Sequence, residues 1–136
     1  MTVTLPKAAR LARAIILVLG VVYLALAVTG IAVVGWGTIR ESESARLLGL
    51  LGVSRLLDIA HAALGVVAVL SAVRRAPSAF AAVGTIVFVA MAAFGVVSQV
   101  AGGVGDPLHM TWWNVGLYLL SGLTCAYVYS LRLRAR

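Results

Sequence analysis

Two short stretches set an acid and an imidazole three residues apart: LLDIAHAALG at 56–65 and DPLHMTWWNVG at 106–116. They take both histidines of the chain, His61 and His109, and two of its four acidic residues, Asp58 and Asp106. On a helix, residues i and i+3 share a face, so each pair would project to one side. Carboxylate and imidazole can bind a metal together, the acid serving as ligand or as orienting partner. Histidines on two separate helices can ligate haem iron, and Asp–His chains inside membranes can relay protons. The structural alternative sets each Asp at a helix N-terminus, where its charge meets the positive end of the dipole. Each His then bonds its neighbouring Asp or a backbone carbonyl. No dense ligand spacing such as H-x-x-x-H or C-x-x-C is present, and the balance favours the structural role. The candidate polar or ligand site is therefore Asp58, His61, Asp106, His109 and Asn114, with His61 and His109 as the ligands if a metal binds. The sequence points to no cofactor.

The elements that position these residues follow from composition. Of 136 residues, 62% are hydrophobic and 11% charged, with mean hydropathy +1.08. Soluble domains carry about 25% charged residues, so the chain reads as a single integral membrane domain, 1–136, with the lipid bilayer as its main partner. The net charge of +7 would suit nucleic acid, but the basic residues lie in short clusters between apolar runs, which excludes a nucleic-acid-binding stripe. The lone Cys125 cannot form an intrachain disulfide.

A bilayer core takes about 20 apolar residues per helix. Charged residues delimit four spans, at about 14–36, 56–73, 79–100 and 108–131. The first exceeds the length of a signal-peptide core and reads as an uncleaved anchor. Continuous runs of this length exclude alternating barrel strands. The fold class is all-α: a four-helix transmembrane bundle in up-down order, joined by short connections.

Orientation follows from Lys and Arg placement. Lys7, Arg10, Arg13, Arg74, Arg75, Arg132, Arg134 and Arg136 fall on one side, whereas Arg40, Arg46 and Arg55 share the other with Glu41, Glu43, Asp58 and Asp106. Both termini are thus expected in the cytoplasm of a bacterial cell, with the protein in its inner, plasma membrane. Trp36, Trp112 and Trp113 mark the outer interface, and Tyr127 and Tyr129 the inner one.

Two connections carry further expectations. Residues 42–55 form either a short surface helix capped by Ser44, with Leu47, Leu48, Leu50 and Leu51 on the lipid, or an extension of span two. The stretch VAGGVGDP (100–107) forms a tight loop, with Asp106 as N-cap and Pro107 opening span four. The two D-x-x-H units lie 48 residues apart and each opens an outside-to-inside span, which suggests one helical hairpin used twice. In span two, Asp58, His61, Gly65, Ala68 and Ala72 form a packed stripe. The matching stripe in span four is His109, Trp113, Gly116, Leu120 and Leu123. Asn114 serves as an interhelical hydrogen bond or lines an outer cavity with His109.

GLLGVSRLLDIAHAALGV (49–66) with DPLHMTWWNVGLYLLSG (106–122) resembles a bacterial four-helix membrane family, domain of unknown function 4383. The family's pattern opens span two with N-P-x-x-N-x-x-H-x-x-x-G, and span four with an acid, L-H and a later Gly. His61, Gly65, Asp106, His109 and Gly116 fit it; Ser54 and Asp58 stand where Asn is usual, and Arg55 where Pro is usual. Small families of the DoxX type are similar in outline. The resemblance implies the bundle and supplies no activity. The leading function is a small non-catalytic accessory or scaffold protein, as a homo-oligomer or within a larger membrane complex. The alternatives are a metal- or haem-linked redox protein using the outer Asp/His site, and a small transporter or lipid-binding protein.

Overall fold

A computed structural model describes residues 5–35, 45–103 and 106–134. Trp36, Arg40, Glu41, Glu43, Ser44 and Arg136 lie outside the described residues. Four helices make up most of what is described: α1 (Leu5–Val34), α2 (Arg55–Val73), α3 (Pro77–Val100) and α4 (Trp112–Leu133). Between α1 and α2 sit two short strands, β1 (Ala45–Leu47) and β2 (Leu51–Val53), paired antiparallel.

Three of the four helices, α1, α2 and α3, are long and apolar enough to cross a membrane. α4 has 22 residues, but Asn114, Ser121, Thr124 and Ser130 dilute its hydropathy. α1 starts nine residues ahead of the expected 14. Charge delimits apolar runs, whereas a helix needs only helix-forming residues, and PKAARLARA continues the fold with Ala8 and Ala12 buried. α2 and α3 keep close to their expected bounds.

Residues 45–53 form a hairpin, neither a surface helix nor an extension of span two. Leu48 (φ 54°) and Gly49 (φ 74°) both turn left-handed, and Leu50 N–H donates to the Leu47 carbonyl at 3.1 Å. That reversal breaks the helical rhythm of the four leucines. Ser54 then caps α2: its backbone is extended and its Oγ accepts the Leu57 N–H at 3.2 Å.

The helices pack as two close hairpins, α1 with α2 and α3 with α4. Gly20 lies against Gly65 and Val69, and Gly30 against Asp58, so the first pair runs in opposite directions. Gly84 against Cys125 and Gly95 against Val115 give the second pair the same sense. α2 and α3 touch sparsely. Between them lies a groove of about 620 Å³, lined by Leu64, Val67, Phe80, Val83 and Arg74 among others. The outer faces stay apolar, with Val18, Val28, Ile86 and Leu123 exposed. An exterior of this kind suits an apolar solvent.

Candidate functional site

The middle of the bundle is closed by four rings, one from each helix. Tyr23 of α1 meets His61 of α2 edge-on, centroids 5.3 Å apart, and Phe88 of α3 at 5.2 Å. Tyr118 of α4 completes the square, 6.0 Å from His61 and 6.4 Å from Phe88. Such pairs add to burial energy through their quadrupoles. Two hydrogen bonds lock the corners. His61 Nε2 and the Tyr118 hydroxyl are 2.8 Å apart, and the Tyr23 hydroxyl and Ser121 Oγ 2.9 Å. Ser121 Oγ in turn donates to the Leu117 carbonyl.

One turn outward stands Asp58. It is fully buried and seated against Gly30 of α1, where a Cβ would collide with its carboxyl group. Neither carboxyl oxygen has a hydrogen-bond partner among the described residues; nor has His61 Nδ1 or Arg55 Nη1. Arg55 does bind through Nε, which donates to the Gly35 carbonyl at 3.1 Å. Residues 58 and 61 are neighbours one turn apart on α2, so the unpaired Asp58 carboxyl group and His61 Nδ1 lie near each other just beyond the ring square. Buried unpaired polar groups call for a specific explanation, and ionisable groups within spans are functional candidates by default.

The expected α2 stripe is buried throughout: Asp58, His61, Gly65, Ala68 and Ala72, with Leu57 beside it. The expected α4 stripe is not. Trp113, Gly116, Leu120 and Leu123 are exposed, and the buried face is Asn114, Val115, Tyr118, Ser121, Cys125 and Val128. His109 precedes the helix and therefore does not set its phase. Counted from Asn114, the same 4-3-4-3 rhythm finds Tyr118 and Ser121. No sequence pattern marked Tyr23 or Phe88 beyond their being aromatic in apolar runs.

Asp106 and His109 occupy a different place. Span four opens at Thr111–Trp112, so Asp106 is not its N-cap and Pro107 not its first residue. Asp106 instead organises the turn ahead of α4. Its Oδ1 accepts the Leu108 N–H at 2.8 Å, and its Oδ2 accepts the Met110 N–H at 2.9 Å and the Ser98 hydroxyl at 2.6 Å. Burial pushes its pKa up, but the bonds from Ser98, Leu108 and Met110 outweigh this, with help from His109, and the net shift is downward. His109, at φ 50°, lines a cleft with Ala45, Arg46, Gly102, Asp106 and Thr111. The two D-x-x-H units are thus unlike: one lies in a helix and faces the ring square, the other is a loop. The two helical hairpins, α1–α2 and α3–α4, are both present, but the D-x-x-H units are not equivalent positions within them. Among the described residues, no three His, Cys, Asp or Glu side chains gather as a metal cluster.

Asn114 reaches across to the hairpin. Its Oδ1 accepts from the Gly52 N–H at 2.8 Å and from the Thr111 N–H at 2.9 Å, while Nδ2 donates to the Gly52 carbonyl at 3.1 Å. Ser54 Oγ donates to the Leu108 carbonyl and Gln99 Nε2 to the Met110 carbonyl. These bonds sew hairpin, turn and helix ends into one cap over that end of the bundle. Gly52 is required there, because a side chain would strike the His109 carbonyl.

Helices of this length and apolarity, an apolar exterior and a polar cluster held inside define a helical protein of the membrane-spanning type. The chain belongs to the family described as domain of unknown function 4383, whose family model matches residues 13–131. No curated protein and no solved structure matches it.

Proposed function

We propose that the protein is a small non-catalytic accessory or scaffold protein of the bacterial plasma membrane. It crosses the bilayer four times in up-down order with both termini in the cytoplasm. Lys7, Arg10, Arg13, Arg74, Arg75, Arg132 and Arg134 support that orientation, since they sit at the helix ends away from Asp58 and Asp106. The observation that carries the reading is the square of Tyr23, His61, Phe88 and Tyr118. Its hydrogen bonds join α1 and α2 to α4, Phe88 adds α3 by ring packing, and all four rings are buried in the middle of the bundle. The α2–α3 groove offers a partner helix or a second copy an apolar seat within the membrane plane. Purification in mild detergent, followed by native mass spectrometry, tests this. A homo-oligomer or a stoichiometric membrane partner is expected, and a solitary monomer under every mild condition overturns it. Reporter fusions at both termini and within residues 36–44 test the orientation.

A second reading has its own support. The unpaired buried atoms of Asp58 and His61, one turn apart on α2, suit a ligand or ion held at the outer half of the bundle. Metal analysis and visible absorbance of the purified protein test its metal- and haem-linked forms. Metal or haem that is retained by the wild type and lost in Asp58→Ala and His61→Ala would favour this reading over the scaffold.

A further inference from the structure

Opposite the polar cap, Arg10 and Arg13 of α1 and Arg75 of the α2–α3 turn line one cleft of about 350 Å³, with Ala9 and Pro77 as its walls. Among the described residues, the arginine side chains that donate hydrogen bonds are Arg55 and Arg132. Neither described acid neutralises the cleft: Asp106 is engaged by Ser98 and its own turn, and Asp58 has no partner. Three exposed guanidinium groups at one opening raise the local positive potential, and an anion among them would lower it.

The backbone brings Arg75 there at a cost. Its φ is 60°, the left-handed region where a helix C-terminus usually places glycine. The turn sends neighbouring arginines to different places: Arg74 lines the α2–α3 groove, and Arg75 the cleft beside α1. A second cleft, of about 370 Å³, shares Ala9, Arg75 and Pro77 with the first and continues over Ala8, Ala12, Val128 and Leu131 to Arg132. A cationic opening thus leads onto a mostly apolar wall.

We propose that this cleft binds the headgroup of an anionic membrane phospholipid. The phosphodiester lies among Arg10, Arg13 and Arg75, and the glycerol and first methylenes lie along Ala8, Ala12 and Val128. Guanidinium forks match phosphate oxygens in pairs, and an anionic leaflet concentrates this ligand beside basic segments. The inference rests on the membrane reading above but not on the scaffold role.

Titration of the detergent-solubilised full chain with phosphatidylglycerol or phosphatidylcholine, read by native mass spectrometry, tests it. The wild type is expected to prefer phosphatidylglycerol. Arg13→Gln with Arg75→Gln lowers that preference by about tenfold. Arg74→Gln with Arg134→Gln removes the same charge from outside the cleft and leaves the preference within about twofold. Equal binding of the two lipids by the wild type overturns the proposal. So does an equal loss in both double variants, which would make the arginines a diffuse basic surface that only sets topology. Retention of the chain in carbonate-washed membranes, scored separately, shows whether the membrane reading itself has failed.

Discussion

Asn114 binds Gly52 as a neighbouring strand would. Its amide oxygen accepts the Gly52 N–H at 2.8 Å and its amide nitrogen donates to the Gly52 carbonyl at 3.1 Å. One side chain of α4 therefore satisfies both backbone groups of a buried hairpin residue, and joins the α1–α2 half of the molecule to the α3–α4 half.

Removing that side chain leaves the Gly52 N–H and carbonyl buried without their partner. Asn114→Ala is expected to destabilise the protein by about 1–3 kcal/mol. Thermal unfolding in detergent, followed by circular dichroism, measures it. An unchanged midpoint would mean that the hairpin does not depend on α4.

Gly30 and Asp58 form a pair of the opposite kind, in which one residue makes room for the other. Gly30→Ala should destabilise by about 1–3 kcal/mol through overpacking. Asp58→Ala clears the space, so the double variant should recover part of the loss, with a coupling energy above about 0.5 kcal/mol. Strict additivity would show that the two helices do not meet there.

The His61–Tyr118 hydrogen bond can be isolated in the same way. Interhelical bonds in membranes average about 0.6 kcal/mol and reach about 1.7. A cycle of His61→Phe and Tyr118→Phe, which keeps the rings in the square, should give a coupling in that range. No coupling would reduce the contact to ring packing alone.

Asp106 carries a pH signature. Its pKa is depressed in the folded protein below the ordinary carboxylate value of about 3.9. The unfolded chain therefore binds a proton first as pH falls, and the folded state loses Asp106's contribution as pH drops through the depressed value. That contribution is complete above about pH 5. Asp106→Asn should be less stable than the wild type at neutral pH, and the gap should shrink on acidification below pH about 4. A gap that stays constant from neutral to acid pH would refute the assignment.

Arg75→Gly relieves the left-handed strain at φ 60°. In lipid-free detergent it should stabilise the protein by about 1 kcal/mol. A drop in the melting midpoint would instead show that the arginine side chain holds the turn.

Much of this protein follows from its sequence alone. Apolar runs of spanning length, broken by charges, can satisfy their backbone in lipid only as helices, so α2 and α3 fall close to where hydropathy sets them. The buried face of α2 was equally legible, because Asp58, His61, Gly65, Ala68 and Ala72 keep one helical phase from a helix start that Ser54 marks. The second D-x-x-H looked like a copy of the first, since residue types and spacing are the same in a turn as in a helix. Only the tertiary structure set the two apart, by giving Asp106 the N–H groups of Leu108 and Met110 and starting α4 later, at Thr111–Trp112. It alone also made the ring square and the Asn114–Gly52 pair. The hydrogen bonds that fasten them join residues 57–98 positions apart, and local periodicity carries no information about which helix faces meet across such distances.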